Sequence, residues 1–409
     1  MCGIVGIWLK NELATVNEAQ LAHAISSIHH RGPNAQNFKI DANVGLAHAR
    51  LSIVDLSAAA NQPMMDKSGR YSLIFNGEIY NYEALKENLP SEILYQTTSD
   101  TEVLLNYLIH FGLDRINDLN GFFSFVFYDH QRKKILFARD RLGIKPLLLY
   151  EDETKFIFSS ELAAMFSFDI DRSLDESALN LLFRLTYIPA PYTILKHTKA
   201  VLPGHCGTIE QGELKIFQYY NLKASKPCEI AYEAATLAVK SRVEKAVKRR
   251  LLADVPLGAF LSGGVDSSII SLVAKQYKTD LKTFSVGFDS PYFDETIYAE
   301  EMAAHIGSNH HQLQLTKADF QKRFQAFLSL NHQPFADSSA FAVYVLSETT
   351  KEHVTVCLSG DGADELFGGY RRIDKYDSQG SDVLHELTYY HLPRLDRMSM
   401  AHTIELRNP

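Results

Sequence analysis

The most chemically suggestive run in this chain is SGGVDSS, Ser262 to Ser268, which follows an apolar segment and opens a helical one. Two adjacent glycines, Gly263 and Gly264, let the backbone approach an anion closely, and a helix N-terminus offers unpaired N–H groups to it. The run reads as a phosphate or pyrophosphate cradle, with an ordinary glycine-rich turn as the plain alternative. It has neither the GK[ST] ending of a P-loop nor GxGxxG spacing. A second glycine-rich run, LSGDGADELFGGYRR from Leu358 to Arg372, carries carboxylates. Beside a phosphate cradle these suit magnesium, which takes carboxylates together with phosphate oxygens, and Asp266 and Asp364 are the candidates against the alternative of a solvated acidic loop. The third group is Cys2. Once Met1 is removed, the α-amine of Cys2 lies within reach of its own sulfur, and at a pKa of about 8 it is partly free base at pH 7, enough to accept the thiol proton. Taken alone, a cysteine there is more often merely a small buried hydrophobe.

These residues need elements to hold them. GFFSFVFYD (Gly121 to Asp129), KKILFARD (Lys133 to Asp140) and FIFSSEL (Phe156 to Leu162) are aromatic and β-branched runs that read as strands, the first two joined by a hairpin turn at Asp129 to Arg132. From Thr101, Val103, Leu104, Tyr107 and Leu108 share one helical face, and Gly112 supplies a stop. The first half is therefore an α+β domain. NLKASKPCE, Asn221 to Glu229, is the most linker-like passage, and domains are expected over 2–220 and 230–409. After a basic amphipathic helix, Tyr232 to Leu252, strands are expected at Leu257 to Leu261, Thr283 to Phe288, Gln312 to Leu315 and Val354 to Leu358. Helices fall between them at Ser267 to Tyr277, Glu295 to Ile306, Lys317 to Leu328 and Ser339 to Glu352. Such alternation argues for an α/β parallel sheet covered on both faces, with ligands at the carboxyl ends of its strands. Both glycine-rich runs occupy such ends.

Composition narrows the classes. The 409 residues are 46% hydrophobic and 22% charged, which excludes disordered, collagen-like and disulfide-scaffold chains. Lys and Arg number 41 against 49 Asp and Glu, a net charge of −8 that gives a nucleic-acid backbone nothing to bind. Cys2, Cys206, Cys228 and Cys357 show no CxxC spacing, so neither zinc nor a disulfide framework is indicated, and a reducing, cytoplasmic compartment is expected. No run of about 18 apolar residues crosses a membrane, and no export signal is read at the start.

HARLSIVDL (His48 to Leu56), FNGEIYNY (Phe75 to Tyr82) and TTSDTE (Thr97 to Glu102) each set polar residues beside strand-like segments. Taken in order with MCGIVGIW, HRGP (His30 to Pro33), ARDRLGIKPL (Ala138 to Leu147), SGGVDSS and SGDGADELFGGYRR, they resemble the glutamine-hydrolysing asparagine synthetase family, and the resemblance resumes at LPRLDRMSMAHTIELR, Leu392 to Arg407. It implies an N-terminal-nucleophile hydrolase fold, an αββα sandwich of class II glutamine amidotransferase type, followed by an ATP-pyrophosphatase domain of adenine-nucleotide α-hydrolase-like α/β fold.

Carried over position by position, the resemblance makes Cys2 the nucleophile on the glutamine side-chain amide, with the Asn76 side chain and the Gly77 N–H as oxyanion hole. Arg50 would grip the α-carboxylate, Leu51, Ser52, Ile53 and Val54 would line the pocket through their backbones, and Glu78 and Asp100 would face the α-ammonium. Leu261, Val286, Ser359 and Gly360 match ATP-contacting positions, together with Ser262, Gly263, Gly264, Asp266 and Ser267 of the pyrophosphate loop. ATP and Mg2+ are thus implied, with glutamine and aspartate as small-molecule substrates. Ammonia released at one site would displace AMP from an acyl-adenylate at the other. His29, His30 and His48, near the glutaminase motifs, are read as structural, as are the remaining cysteines. The sequence leaves self-association, including a homodimer, open.

Against the family, only IDKYDSQGSDVLHELTYYH separates GGYRR from LPRLDRMSM, where a longer helical segment is usual, and the chain stops at RNP. A deletion is the expectation. Three readings follow: an asparagine synthetase, an enzyme of the same mechanism amidating another carboxylate such as a surface-polysaccharide sugar acid, and a remnant that only hydrolyses glutamine or binds a partner.

Overall fold

The computed structural model describes residues 1–222, 229–289 and 294–370. Cys228, most of the linker-like passage and the LPRLDRMSM segment lie outside the described residues. Two compact units are present, one comprising residues 1–181, 188–222 and 332–334, the other 182–187, 229–289, 294–331 and 335–370.

The first unit contains twelve strands: β1 Gly3–Leu9, β2 Ala35–Asp41, β3 Val44–Arg50, β4 Met64–Met65, β5 Tyr71–Ile79, β6 Gly121–Asp129, β7 Lys134–Arg139, β8 Leu148–Glu151, β9 Lys155–Ser159, β10 Thr198–Ala200, β11 His205–Glu210 and β12 Glu213–Gln218. They form two six-stranded sheets, β10-β8-β9-β1-β3-β2 and β12-β11-β7-β6-β5-β4. Neighbouring strands in both sheets run antiparallel. Ile4, Trp8 and Leu46 of the first sheet meet Ile74, Val126 and Phe137 of the second in an apolar layer between them. The opposite face of the first sheet packs Val5, Ile7 and Ala47 against α1 (Glu18–Ser27). That of the second packs Phe75, Phe123 and Phe125 against Val103, Leu104 and Tyr107, which lie on α3 (Asp100–Phe111), with α2 (Tyr82–Lys86) alongside. The result is the αββα sandwich. β1, GIVGIWL, is buried on both faces because helix lies on one side and sheet on the other, so its run shows no polar alternation.

FIFSSEL ends as a strand (β9) at Ser159, and Leu162 instead opens α4 (Leu162–Met165), whose apolar side chains join the α1 layer. α5 (Glu176–Leu185) follows. α3 begins as the sequence suggests. The Ser99 hydroxyl accepts from the Glu102 N–H, and Gly112 ends the helix at φ 56.

The second unit opens with α6 (Tyr232–Arg250), then alternates β13 (Leu257–Phe260), α7 (Val265–Tyr277), β14 (Lys282–Phe288), α8 (Thr296–Ile306), β15 (Asn309–Leu315), α9 (Lys317–Leu330), α10 (Ala340–Thr350), β16 (Val356–Leu358) and α11 (Ala363–Phe367). The sheet is parallel, in the order β15-β14-β13-β16. Leu257 packs with Val247 of α6 and Val273 of α7 on one face, and Phe284 with Leu346 of α10 on the other. β15 starts three residues earlier than expected, at Asn309. Its opening is polar because the His310 ring is held by the hydroxyls of Thr283 (2.9 Å) and Ser285 (3.1 Å) on β14. Among the described residues, no helix is long and apolar enough to cross a membrane.

Candidate active site

Cys2 sits just before β1, whose pairing with β3 (Gly3 opposite Ala49) brings it to the start of the Leu51 loop. The Leu51 N–H donates to Cys2 Sγ at 3.4 Å, and Sγ lies 3.6 Å from the Leu51 carbonyl. Arg31 fixes the backbone from the other side, its Nε donating to the Cys2 carbonyl at 2.9 Å while Nη1 pairs with Glu161 at 2.7 Å. Gly32 permits this close approach, because a Cβ there would fall 2.2 Å from the Ala49 carbonyl.

Arg50, at the end of β3, organises the loop that follows. Its guanidinium donates to the Ser57 carbonyl (2.6 Å), to Asn61 Oδ1 (2.8 Å) and to the Asp55 carbonyl. The loop is thus wrapped around a buried cation, and Leu51, Ile53 and Val54 face a small cavity shared with Cys2, Arg50, Gly77, Glu78 and Asp100. Ser52 does not line it; its N–H is bound to Asn34 Oδ1 at 3.0 Å.

The far wall is β5. The N–H groups of Phe75 and Ile79 leave its outer edge to Gln62 Oε1 (2.6 Å) and Asp100 Oδ2 (2.8 Å). Alternation along an antiparallel strand directs the Gly77 N–H, midway between them, to the same edge. Residue 77 must be glycine, since a Cβ would lie 2.1 Å from the Phe122 carbonyl oxygen on β6. Asn76 is 0% exposed, and neither its Oδ1 nor its Nδ2 has a hydrogen-bond partner. Like Ile74 two residues before it, it faces the layer between the sheets. A buried amide without partners costs about 1 to 3 kcal/mol per unmet group.

Two carboxylates close the site. Asp100 is the first residue of α3, placed there by the Ser99 cap, and burial raises its pKa to about 6. Glu78 on β5 is pushed well above the ordinary carboxylate range by burial and by the Asp100 charge. Two buried like charges with this tendency to neutralise form a receptor for a cation. Burial likewise raises the Cys2 thiol and lowers the amine of Met1 to about 6, helped by Arg31 and Lys145. With Met1 in place the nitrogen of Cys2 is an amide, so an α-amine base at Cys2 requires removal of Met1.

The histidines near these motifs are tied into the scaffold. His48 Nε2 lies 3.0 Å from the Phe75 carbonyl, bridging the sheets, and burial lowers its pKa to about 3. His29 and His30 lie against Gln36 and Glu161. Burial raises Cys206 and Cys357 to about 12, as suits packing residues. Sequence reasoning missed Asp55, Asn61, Gln62 and Thr101, which hold Arg50, hold β5 or line the cavity. The available signal was the polar pair Asn61 and Gln62 ending an apolar run before Pro63.

In the second unit the chain leaves β13 for β14 on one side and returns at β16 on the other, so the loops after β13 and β16 flank the switch point of the sheet. Ser262 and Ser267 lock the first loop. Their hydroxyls are 3.0 Å apart, the Ser262 N–H donates to Ser267 Oγ at 3.2 Å, and the Gly264 N–H to Ser262 Oγ at 3.3 Å. Gly263 has φ 80, and a Cβ on it would lie 2.5 Å from that of Tyr298. Gly360 brings the second loop against the first, its would-be Cβ 3.0 Å from Asp266 Cβ and from the Ser267 N. Ser359 donates to Asp361 at 3.0 Å. A cavity beside the cradle is lined by Leu261, Ser262, Val286 and Phe288. Asp364 follows on α11, its carboxylate against Gly369. Among the described residues no three His, Cys, Asp or Glu converge as a metal cage. Asp266 lies in the first turn of α7 and Asp364 in the first turn of α11.

A glutamine amidotransferase domain model matches residues 1–220 and an asparagine synthase model residues 238–388. Asparagine synthetase [glutamine-hydrolyzing] 1 of Bacillus subtilis is 36% identical over 90% of this chain, and the chain spans 59% of that relative. A Methanocaldococcus jannaschii protein, provisionally named asparagine synthetase [glutamine-hydrolyzing] 2, is 37% identical over 90% of the chain, which covers 76% of it. Amidase chyE of Penicillium rubens is 30% identical over 97% of the chain, which covers 63% of it. With a nucleophile site in an αββα sandwich, a glycine-rich cradle on a parallel sheet, and these matches across both, the chain belongs to the glutamine-hydrolysing asparagine synthetase family.

Proposed function

We propose that the chain acts as a glutamine-dependent asparagine synthetase: it hydrolyses glutamine at Cys2 and delivers the ammonia to an aspartate carboxylate activated by ATP. The observation that carries the reading is the cavity on which Cys2, Arg50, Gly77, Glu78 and Asp100 meet, since a thiol, a cation, an edge N–H and paired carboxylates match the amide, α-carboxylate, oxyanion and α-ammonium of glutamine. After loss of Met1 the α-amine of Cys2 takes the thiol proton and the thiolate attacks the amide carbon. The oxyanion forms against the Gly77 N–H and the Asn76 amide; ammonia leaves with the proton held on the amine, and water then cleaves the thioester to glutamate. Removing one such oxyanion donor costs about 100- to 1000-fold in rate.

In the second unit, Leu261 and Val286 hold the adenine side of ATP and Ser262 to Ser268 its pyrophosphate. Asp266 and Asp364 would hold magnesium, whose charge offsets that of the phosphates. The aspartate carboxylate displaces pyrophosphate from the α-phosphorus, and ammonia displaces AMP. Free thiols at Cys2, Cys206 and Cys357 favour a cytoplasmic, reducing setting. With ATP, magnesium and glutamine, pyrophosphate release that depends on aspartate, with asparagine as product, is the expected result. Release with another carboxylate in its place moves the acceptor, and glutamate formation with no pyrophosphate leaves only the glutaminase. Cys2→Ala should abolish synthesis from glutamine and spare synthesis from ammonia; equal loss with both donors contradicts the reading.

A further inference from the structure

The run ARDRLGIKPL contributes none of the cavity-lining residues, yet it forms a turn of unusual construction. The Asp140 carboxylate, 1% exposed, accepts the N–H groups of Phe123 (3.2 Å), Leu142 (3.1 Å), Ile144 (3.0 Å) and Lys145 (2.9 Å). The Asp140 N–H in turn donates to the Phe123 carbonyl at 2.8 Å, and Arg139 Nε holds the Lys145 carbonyl at 2.8 Å. Phe123 is the residue of β6 directly opposite Gly77. The turn is therefore bolted to the strand that backs the oxyanion edge, and the side chain it presents there is Lys145.

That side chain runs to the N-terminus, where Nζ donates to Met1 Sδ at 3.1 Å. Burial lowers the pKa of its ammonium, and Glu78, Arg31, Cys2 and Asp140 are close enough for their charges to act on it, the carboxylates favouring the charged form. Of the other two cations beside Cys2, Arg31 pairs with Glu161, and Arg50, bound to the carbonyls of its loop, is the partner proposed for the α-carboxylate. A thioether is a weak acceptor, and removal of Met1 takes even that away.

We infer that Lys145 is a positioning residue of the glutaminase site, delivered by the Asp140 turn to act as the resident cation facing Glu78 and the N-terminal amine until a substrate ammonium arrives. The inference rests on the reading of Cys2 as a glutaminase nucleophile. The groups that face this charge are Glu78 on β5, with Asp100 of α3 acting on Glu78 in turn, Arg31 after α1, Cys2 and the amine of Met1, and Asp140 within the turn. Both consequences of losing it have one sign. Glu78 without a nearby cation protonates at higher pH, and an amine relieved of a neighbouring cation keeps its proton to higher pH. Each moves the acid limb of turnover upward.

The test is glutamine hydrolysis by the full chain, freed of Met1 as shown by mass spectrometry, with kcat/KM followed from pH 5 to 9. In Lys145→Met the acid limb is expected to rise by about one pH unit or more, with KM for glutamine increased at pH 6.5, and Lys145→Arg should restore most of the shift. Lys145→Gln serves as a second neutral variant, and thermal unfolding shows which variants remain folded. Limbs of both neutral variants that coincide with the wild type overturn the inference. If the wild type turns over glutamine and Cys2→Ala does not, that failure belongs to Lys145 alone; a wild type inert toward glutamine removes the reading of the site as well.

Discussion

Asp100 and Glu78 hold opposing obligations. Each must be ionised to meet an ammonium, yet burial and their mutual repulsion favour the neutral forms. For Asp100 the folded pKa, about 6, stands above the unfolded value near 4, so the group favours the folded state at low pH and this contribution is lost as pH rises through 6. Asp100→Asn should therefore stabilise the fold at pH 8 by something on the order of 2 kcal/mol, read as a higher melting temperature, and leave stability unchanged at pH 4. The same variant should raise KM for glutamine at least tenfold at pH 8, because one ammonium partner is gone. An unaltered KM with the stability gain intact would remove Asp100 from substrate binding. The wild type should lose affinity for glutamine as pH falls through about 6, read as a rising KM. At this scale the sequence was informative where a motif carries the residue, as with Cys2, Arg50, Glu78 and Asp100. For Gln62 and Asn61 it offered only a polar pair closing an apolar run, because their work is to satisfy one strand N–H and one guanidinium, tasks that any amide in reach performs.

Elements obeyed the sequence wherever one local force sets them. The Ser99 cap and the Gly112 stop define α3, and the parallel sheet appears with the helices expected between its strands. Expectation and structure part where tertiary partners decide: at Asn309, where polar residues extend a strand because hydroxyls on β14 receive them, and at Leu162, where a strand-like run turns into helix to feed the α1 layer. The cradle after β13 offers a test at the level of its turn. Gly263→Ala places a Cβ at φ 80 and 2.5 Å from Tyr298, so the turn must open. Pyrophosphate release should fall at least a hundredfold while glutamine hydrolysis continues; retention of both activities would show that the cradle does not hold phosphate. A second junction ties the sheets of the first unit. His130 lies 2.6 Å from both Asp41 at the end of β2 and the Ser72 hydroxyl on β5. Ser72 is 1% exposed, so this serine, histidine and aspartate form a staple with no access for substrate. His130→Ala leaves a buried hydroxyl unpaired and should cost about 1 to 3 kcal/mol in denaturant unfolding, with no effect on KM.

Across the whole molecule, the two proposed chemistries fall to two compact units, each carrying its own motifs. Asp266→Asn should abolish pyrophosphate release and preserve glutamine hydrolysis, the mirror image of Cys2→Ala; loss of both activities in either variant would argue against this division. The overall plan was readable because each unit announces itself at a motif beside an element, while the pairing of strands β1 and β3 that brings Cys2 to Leu51, 49 positions away, could be known only from the folded chain. Asn76 has a consequence for ancestry. An apolar side chain of similar size would relieve the fold of two unpaired buried polar atoms, so mutation and drift push this position toward leucine or methionine whenever hydrolysis ceases to matter. Among descendants of this chain, the first mark of a lineage retained only as a scaffold should therefore be an Asn76 replaced by a hydrophobe, in a protein that melts higher than its working cousins.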